Sequence, residues 1–165
     1  MSNQPHSKEF FELIKAIGET KSKQEEDKII LREIGALKAH LNNPKIPPLK
    51  AMKEFIVRML YCEMLGHDAS FAYVSAIKLT SSKILLEKRV GYLAISLCIP
   101  KDHELQLLII ANLQKDLQST NYLEVSCALS AATKLVSEET IPALITPLLK
   151  LKNYAKYVSC SHTCV

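Results

Sequence analysis

Tryptophan is absent from this 165-residue chain, and glycine occurs only four times. With so few glycines there is no Gly-rich loop of the kind that cradles phosphates or opens a dinucleotide fold. The apolar run Val90–Pro100 has 11 residues and contains Gly91 and Ser96. It is too short to span a bilayer, which takes about 20 residues. Met1–Ser7 is polar and has no apolar segment after a basic start, so no secretory signal is expected. The five cysteines (62, 98, 127, 160 and 164) lack the dense paired spacing of a secreted disulfide scaffold. Charge of one sign is scarce too: the formal net charge is +4, with a pI near 8.7. Nucleic-acid binding calls for a denser basic cluster with aromatics or a known motif. These absences predict a cytosolic chain.

What is present favours helix. Leu, Ile, Ala, Lys and Glu are plentiful, and apolar residues make up 48% of the chain. The spacing predicts a first helix over 7–17, with Phe10, Phe11, Ile14 and Ile17 on one stripe and Gly18 as its stop. Ser22 and Glu25 form a capping-box signature ahead of a helix over 23–41. Ile30, Ile34, Leu37 and Leu41 line one of its faces, and Asn42-Asn43-Pro44 ends it. A denser apolar pattern follows over 49–64. Asp68 or Ser70 is expected to cap a helix over 71–79, and Ser81 or Ser82 to open one through Cys98. Asp102 is expected to cap the next, to about Leu117, and Asn121 another through Val136. Ser137 starts a last helix, broken near Pro142 and continuing to Leu151. Nothing alternates with period two well enough to predict a strand.

Val90-Gly91-Tyr92-Leu93-Ala94 and Val125-Ser126-Cys127-Ala128-Leu129 stand 35 residues apart, near the period of two-helix solenoid repeats. Gly91 costs roughly 1 kcal/mol in a helix interior relative to Ala, which predicts close approach of a neighbouring helix as compensation.

Three strings fall in a telling order: Tyr61-Cys62-Glu63-Met64-Leu65-Gly66-His67-Asp68-Ala69-Ser70-Phe71, then Arg89-Val90-Gly91-Tyr92-Leu93-Ala94, then Lys115-Asp116-Leu117-Gln118-Ser119-Thr120-Asn121. With them the chain resembles, from about Ser7 to Leu151, the trunk of adaptor protein complex large subunits, in particular the epsilon type of the fourth adaptor complex. The resemblance implies an all-α, armadillo/HEAT-like solenoid of about eight helices in antiparallel pairs. The expected organisation is a flexible segment over 1–6, a solenoid over 7–151 and a divergent tail over 152–165. In the family the solenoid continues beyond this point, so the chain reads as a truncated form, through a shortened isoform or an alternative final exon.

Function follows from the same resemblance. It implies a non-enzymatic subunit of a vesicle-coat adaptor complex, sorting cargo for intracellular transport at the trans-Golgi network. The implied partners are a beta-type large, a medium and a small (sigma) subunit, an Arf-type small GTPase and a membrane surface bound peripherally. The small-subunit interface would involve Phe11, Ile14, Ile17, Ile30 and Ile34, though ordinary intramolecular core is the alternative for these residues. Relatives of the alpha and gamma types use an arginine there for acidic dileucine signals; the matching position is Gly18, so that activity is not carried over. The basic residues Lys45, Lys50, Lys53 and Arg58 form a candidate membrane-facing patch, with a solvated face as the plain alternative. Alpha-type relatives carry a phosphoinositide-binding lysine triplet here, of which Met52, Lys53 and Glu54 keep only Lys53. A free-standing armadillo/HEAT-like peptide-binding module is the competing reading of the whole chain.

Chemistry is not expected. Cys160, His162 and Cys164 lack a standard structural zinc spacing and a second ligand pair, so a polar tail is the reading. His67 and Asp68 point in different directions at a helix start, one as a turn residue and the other as a cap. Glu63 and His103 read as isolated on polar faces. Cys62, Cys98 and Cys127 fall within apolar helical stretches, where a reduced thiol packs as a small hydrophobe. No catalytic group, metal or cofactor is predicted, and a small helical enzyme is disfavoured accordingly.

Overall fold

The computed structural model of the chain describes residues 8–43, 45 and 47–152. The expected 1–6 segment, and the tail from 153 onward with Cys160, His162 and Cys164, lie outside them. Eight α-helices are found among the described residues, and no strand: α1 (Lys8–Gly18), α2 (Lys23–Leu41), α3 (Leu49–Met64), α4 (Tyr73–Thr80), α5 (Leu85–Cys98), α6 (Gln106–Leu117), α7 (Tyr122–Leu135) and α8 (Ile141–Lys152). A 3-10 turn, Ser70–Ala72, precedes α4.

Local chemistry explains most of the boundaries. Ser22 Oγ accepts from the Glu25 amide at 3.2 Å, and the Glu25 carboxylate accepts from Lys21 N–H at 3.0 Å. The capping box thus forms, with its return arm one residue earlier than the usual pattern. At the end of α3, His67 N–H bonds to Cys62 O and Gly66 N–H to Glu63 O. That is a Schellman closure, and it requires the left-handed Gly66, at φ 90°. Asp68 Oδ1 accepts from Ser70 N–H at 3.1 Å and so caps the 3-10 turn rather than α4 itself. Asn121 Oδ1 caps α7 through the Leu123 amide at 3.1 Å.

Three expected helix starts shift. α5 begins at Leu85, because Ser82 Oγ accepts from the Ile84 amide at 3.0 Å while donating to the Glu87 carboxylate at 2.6 Å. α6 begins at Gln106, and Asp102 does not cap it; His103 Nδ1 takes the Leu105 amide instead, at 3.1 Å. α8 begins at Ile141 with Pro142 in its first turn, where a missing N–H costs nothing. The proline inside α8 is Pro147. It leaves the Ala143 carbonyl without its usual helical donor, and Gln114 Nε2 of α6 supplies one at 2.6 Å.

The helices stack in two layers. α3 packs on α5 and α5 on α7, while α4 packs on α6 and α6 on α8. α4 and α5 make the tightest pair. A Cβ on Gly91 would stand 2.8 Å from Ala76 O and Thr80 N and 2.9 Å from Leu79 Cβ. The glycine therefore permits the helix contact that its cost in α5 predicts. Between the layers runs one continuous core, including Met52, Ile56, Met59, Leu79, Ile95, Ile109, Leu113, Leu117, Leu135 and Leu144. A second, smaller cluster joins Ile30, Ile34 and Cys62 at the α1–α2 end, with Ile17, Leu65 and Phe71 packed against it. No helix of the described residues is long and apolar enough to cross a membrane.

Candidate functional site

The α1–α2 end carries the first group of candidate residues. α1 has one buried residue, Leu13, and rests on α3 through the edge-to-face contact of Phe10 with Tyr61, centroids 5.7 Å apart. Phe11 is 70% exposed and Ile14 39% exposed. Ile17 is half-buried over the small cluster, while Ile30 and Ile34 are enclosed by the chain itself. The five residues thus divide: Ile30 and Ile34 are intramolecular core, and Phe11 with Ile14 face outward. An open depression between α1 and α2 is lined by Ala16, Glu19, Thr20, Glu25, Lys28 and Ile29.

The four basic residues do not form one patch. Arg58 Nη1 lies 2.8 Å from Glu33 Oε1, both side chains mostly buried, and its guanidinium sits 5.5 Å from the Phe55 ring centroid. It ties α3 to α2. Lys53 pairs with Glu54 at 2.8 Å and is largely covered. Lys45 and Lys50 are exposed.

Groups expected to stand alone have partners. The Glu63 carboxylate accepts from the Ala69 amide at 2.9 Å and lies 3.4 Å from the Tyr73 hydroxyl. It fastens the α3–α4 connection. His103 packs edge-on to Tyr73, centroids 5.7 Å apart. Tyr73 donates to Cys98 O at 2.8 Å, and burial followed by the Glu63 charge pushes its phenol up to about 12. His67 does not pair with Asp68; its Nε2 stands 3.2 Å from Asp27 Oδ1 on α2.

A buried polar network among α5, α6 and α7 went unforeseen. Lys88 Nζ sits 2.6 Å from Asp116 Oδ1, and Tyr92 donates to Asp116 Oδ2 at 2.7 Å. Glu124 reaches Lys88 at 3.4 Å and accepts from Ser119 Oγ at 2.6 Å. Burial, then the Asp116 hydrogen bond, raises the Tyr92 phenol far above its ordinary range. The sequence signal was Lys88 itself, which shares the stripe of Gly91, Tyr92 and Ile95; a cation on a core-facing stripe demands a buried partner. Its donors and acceptors satisfy one another, and it holds α5, α6 and α7 together.

Burial pushes the Cys62 and Cys98 thiols up to about 11, the nearby Glu33 charge adding to the first and Glu63 to the second. Such thiols are inert packing groups. Among the described residues no three His, Cys, Asp or Glu side chains gather to hold a metal ion.

Residues 26–159 match the family model described as the adaptin N terminal region, extending past Leu151. The chain is 53% identical over 150 residues to the AP-4 complex subunit epsilon of Arabidopsis thaliana, covering 91% of this chain and 16% of that one. It is 50% identical over 140 residues to the AP-4 complex subunit epsilon-1 of Mus musculus, covering 85% of this chain and 12% of that one. With the AP-4 complex subunit epsilon of Dictyostelium discoideum it shares 42% over 148 residues, 90% of this chain and 14% of that one. The chain thus spans about one sixth or less of the length of these relatives.

Proposed function

Because the chain belongs to the adaptin N-terminal family, we propose that it acts as the first part of an epsilon-type large subunit in a vesicle-coat adaptor complex. Its work there is structural: it holds cargo-sorting machinery together at the trans-Golgi network and performs no catalysis. The observation that carries this reading is identity of 42–53% to epsilon subunits from an amoeba and a plant over nine tenths of this chain. The stacked helices, and the buried Lys88–Asp116–Tyr92 network that joins two of them, support a scaffold. Affinity in such an assembly comes from several weak contacts held together, so each needs little area of its own.

The partners are a beta-type large, a medium and a small subunit, with an Arf-type GTPase recruiting the complex to membrane. Phe11 and Ile14 make the small-subunit contact, with Ile17 fixing the position of α1 behind them. Lys45 and Lys50 face the membrane, each contributing about 1 kcal/mol near an anionic surface. Arg58 takes no part, since Glu33 holds it.

Co-expression with the small subunit tests the assembly role. The wild-type chain is expected to co-purify with it, and F11D/I14D to lose it while keeping its helical circular dichroism. Equal recovery of the small subunit with both chains would remove Phe11 and Ile14 from the interface. No recovery with either would remove the assembly role.

A further inference from the structure

Turns that lead into helices close here in a repeated way: a side chain accepts the amide of the residue two positions on. Asp68 Oδ1 takes the Ser70 amide at 3.1 Å, Ser82 Oγ the Ile84 amide at 3.0 Å and Asn121 Oδ1 the Leu123 amide at 3.1 Å. Between α5 and α6 the acceptor is a nitrogen instead: His103 Nδ1 takes the Leu105 amide at 3.1 Å. The oxygens keep a lone pair for the amide at any pH near neutral. An imidazole has one only while it is uncharged, with its proton on the other nitrogen. Once protonated, both ring nitrogens are donors, and His103 Nδ1–H then faces Leu105 N–H, donor against donor.

The first turn of α6 has little else to fix it. It contains no acidic residue, and Leu105, at the N-cap position, makes no side-chain bond to it. Leu107 and Leu108 in that turn are 83% and 54% exposed. Two further bonds hold the turn: His103 O accepts the Gln106 amide at 3.0 Å, and Gln106 Nε2 donates to Pro100 O at 3.1 Å. The first of them depends on where His103 itself sits.

Several ionisable groups surround the ring. His103 is half-buried and packs edge-on against Tyr73 of α4. Burial, then the Glu63 charge, pushes the Tyr73 phenol up to about 12 and the Cys98 thiol of α5 up to about 11, so both stay uncharged near neutral pH. Glu63 of α3 and Asp68 of the α3–α4 connection stand close to the same phenol. The Ser70 amide holds the Asp68 carboxyl below its ordinary range, so it stays ionised. Lys101, Asp102 and Glu104 belong to the turn itself and are exposed. Imidazole is the side chain of this set whose ordinary titration range lies near neutral pH.

We propose that His103 is a pH-sensitive latch on the α5–α6 turn: neutral, it fastens Leu105 and the start of α6, and protonated, it releases them. The latch lies in the main stack and is independent of the small-subunit contact proposed for Phe11 and Ile14.

Amide exchange of the full chain, resolved by isotope-edited NMR at about pH 7.5 and about pH 5.5 on either side of the imidazole range, tests the latch. Rates are corrected for intrinsic exchange and read as protection of the Leu105 amide, which reports local opening. In the wild type that protection is expected to fall roughly fivefold at the lower pH, the worth of one net hydrogen bond. His103→Asn keeps an acceptor that does not titrate, so its protection should hold constant. His103→Ala has no acceptor and should show low protection at both pH values. His67→Gln removes a second histidine of the same end and should leave the wild-type response intact. Protection of Leu105 that does not change with pH in the wild type overturns the proposal. An equal fall in His103→Asn, or loss of the response in His67→Gln, would assign the pH dependence to another group and overturn it as well.

Discussion

Gly35 in α2 and Gly91 in α5 both interrupt a helix, yet their surroundings have little in common. A side chain on Gly35 would meet nothing within 4 Å, whereas one on Gly91 would meet the backbone of α4 at 2.8 Å. The contrast extends to the regions around them. α1 touches the rest of the chain through one buried leucine, a ring contact and Ile17 over a small cluster, while α2 is held by that cluster, by Leu37 in the main core and by the Glu33–Arg58 and Asp27–His67 pairs. α4 to α7 share the main core and a buried polar network that links three helices. The centre derives its order from its own chain. The N-terminal end leaves Phe11 and Leu31 largely uncovered and Ile14 partly so, and Phe11 and Ile14 form the proposed small-subunit contact.

The largest expected effect lies in the centre. Lys88→Met would leave Asp116 buried beside Tyr92 without its cation, and removing one member of a buried pair costs about 3–5 kcal/mol. Denaturant unfolding of the variant should show that loss. Lys23 makes ion pairs of similar length with Glu26 and Asp27, but at 62% exposure. Lys23→Ala is therefore expected to leave the unfolding midpoint where it is, since solvent screens such pairs. Similar losses for both variants would mean that the centre and the end are held alike.

Next in size is the glycine pair. Gly91→Ala gains about 1 kcal/mol of helix propensity but must push apart two helix backbones, and overpacking of that kind costs about 1–3 kcal/mol. Gly35→Ala gains the same propensity with no obstacle. Thermal melts should show Gly91→Ala below wild type and Gly35→Ala above it. A rise for both would mean that α4 and α5 separate easily.

This difference also marks what the sequence could tell. Helix propensity, caps and apolar period are local, and they placed α2 at 23–41, the cap at Asn121 and the demand for close approach at Gly91. The starts of α5 and α6 were missed because several polar residues compete in those turns, and the winners, Ser82 and His103, are chosen by geometry. The Lys88–Asp116–Tyr92 network joins residues 24 and 28 apart, beyond any local pattern. The same distance hid the fate of Arg58, which looks like surface charge until Glu33 stands opposite it. For the candidate interface the apolar period on α1 and α2 was legible. Which of its members the chain itself would cover was not, because that depends on how α3 lies across both helices.

The smallest predicted effect compares the two regions through their thiols. Cys62 belongs to the small N-terminal cluster and Cys98 to the main core, and burial raises both to about 11. Burial raises both thiols in the same direction, so a difference in labelling reports chiefly how often each region opens. Static exposure favours Cys98, at 9% against 0% for Cys62. The small size of its cluster and the weak anchoring of α1 over it favour Cys62. Alkylation of the native chain, resolved site by site by mass spectrometry, should therefore modify Cys62 about tenfold faster, equivalent to about 1.4 kcal/mol easier opening. Addition of the small subunit should slow Cys62 and leave Cys98 unchanged, because only the first lies near the proposed small-subunit contact. Faster modification of Cys98 would show that the N-terminal end is as firmly closed as the centre without any partner.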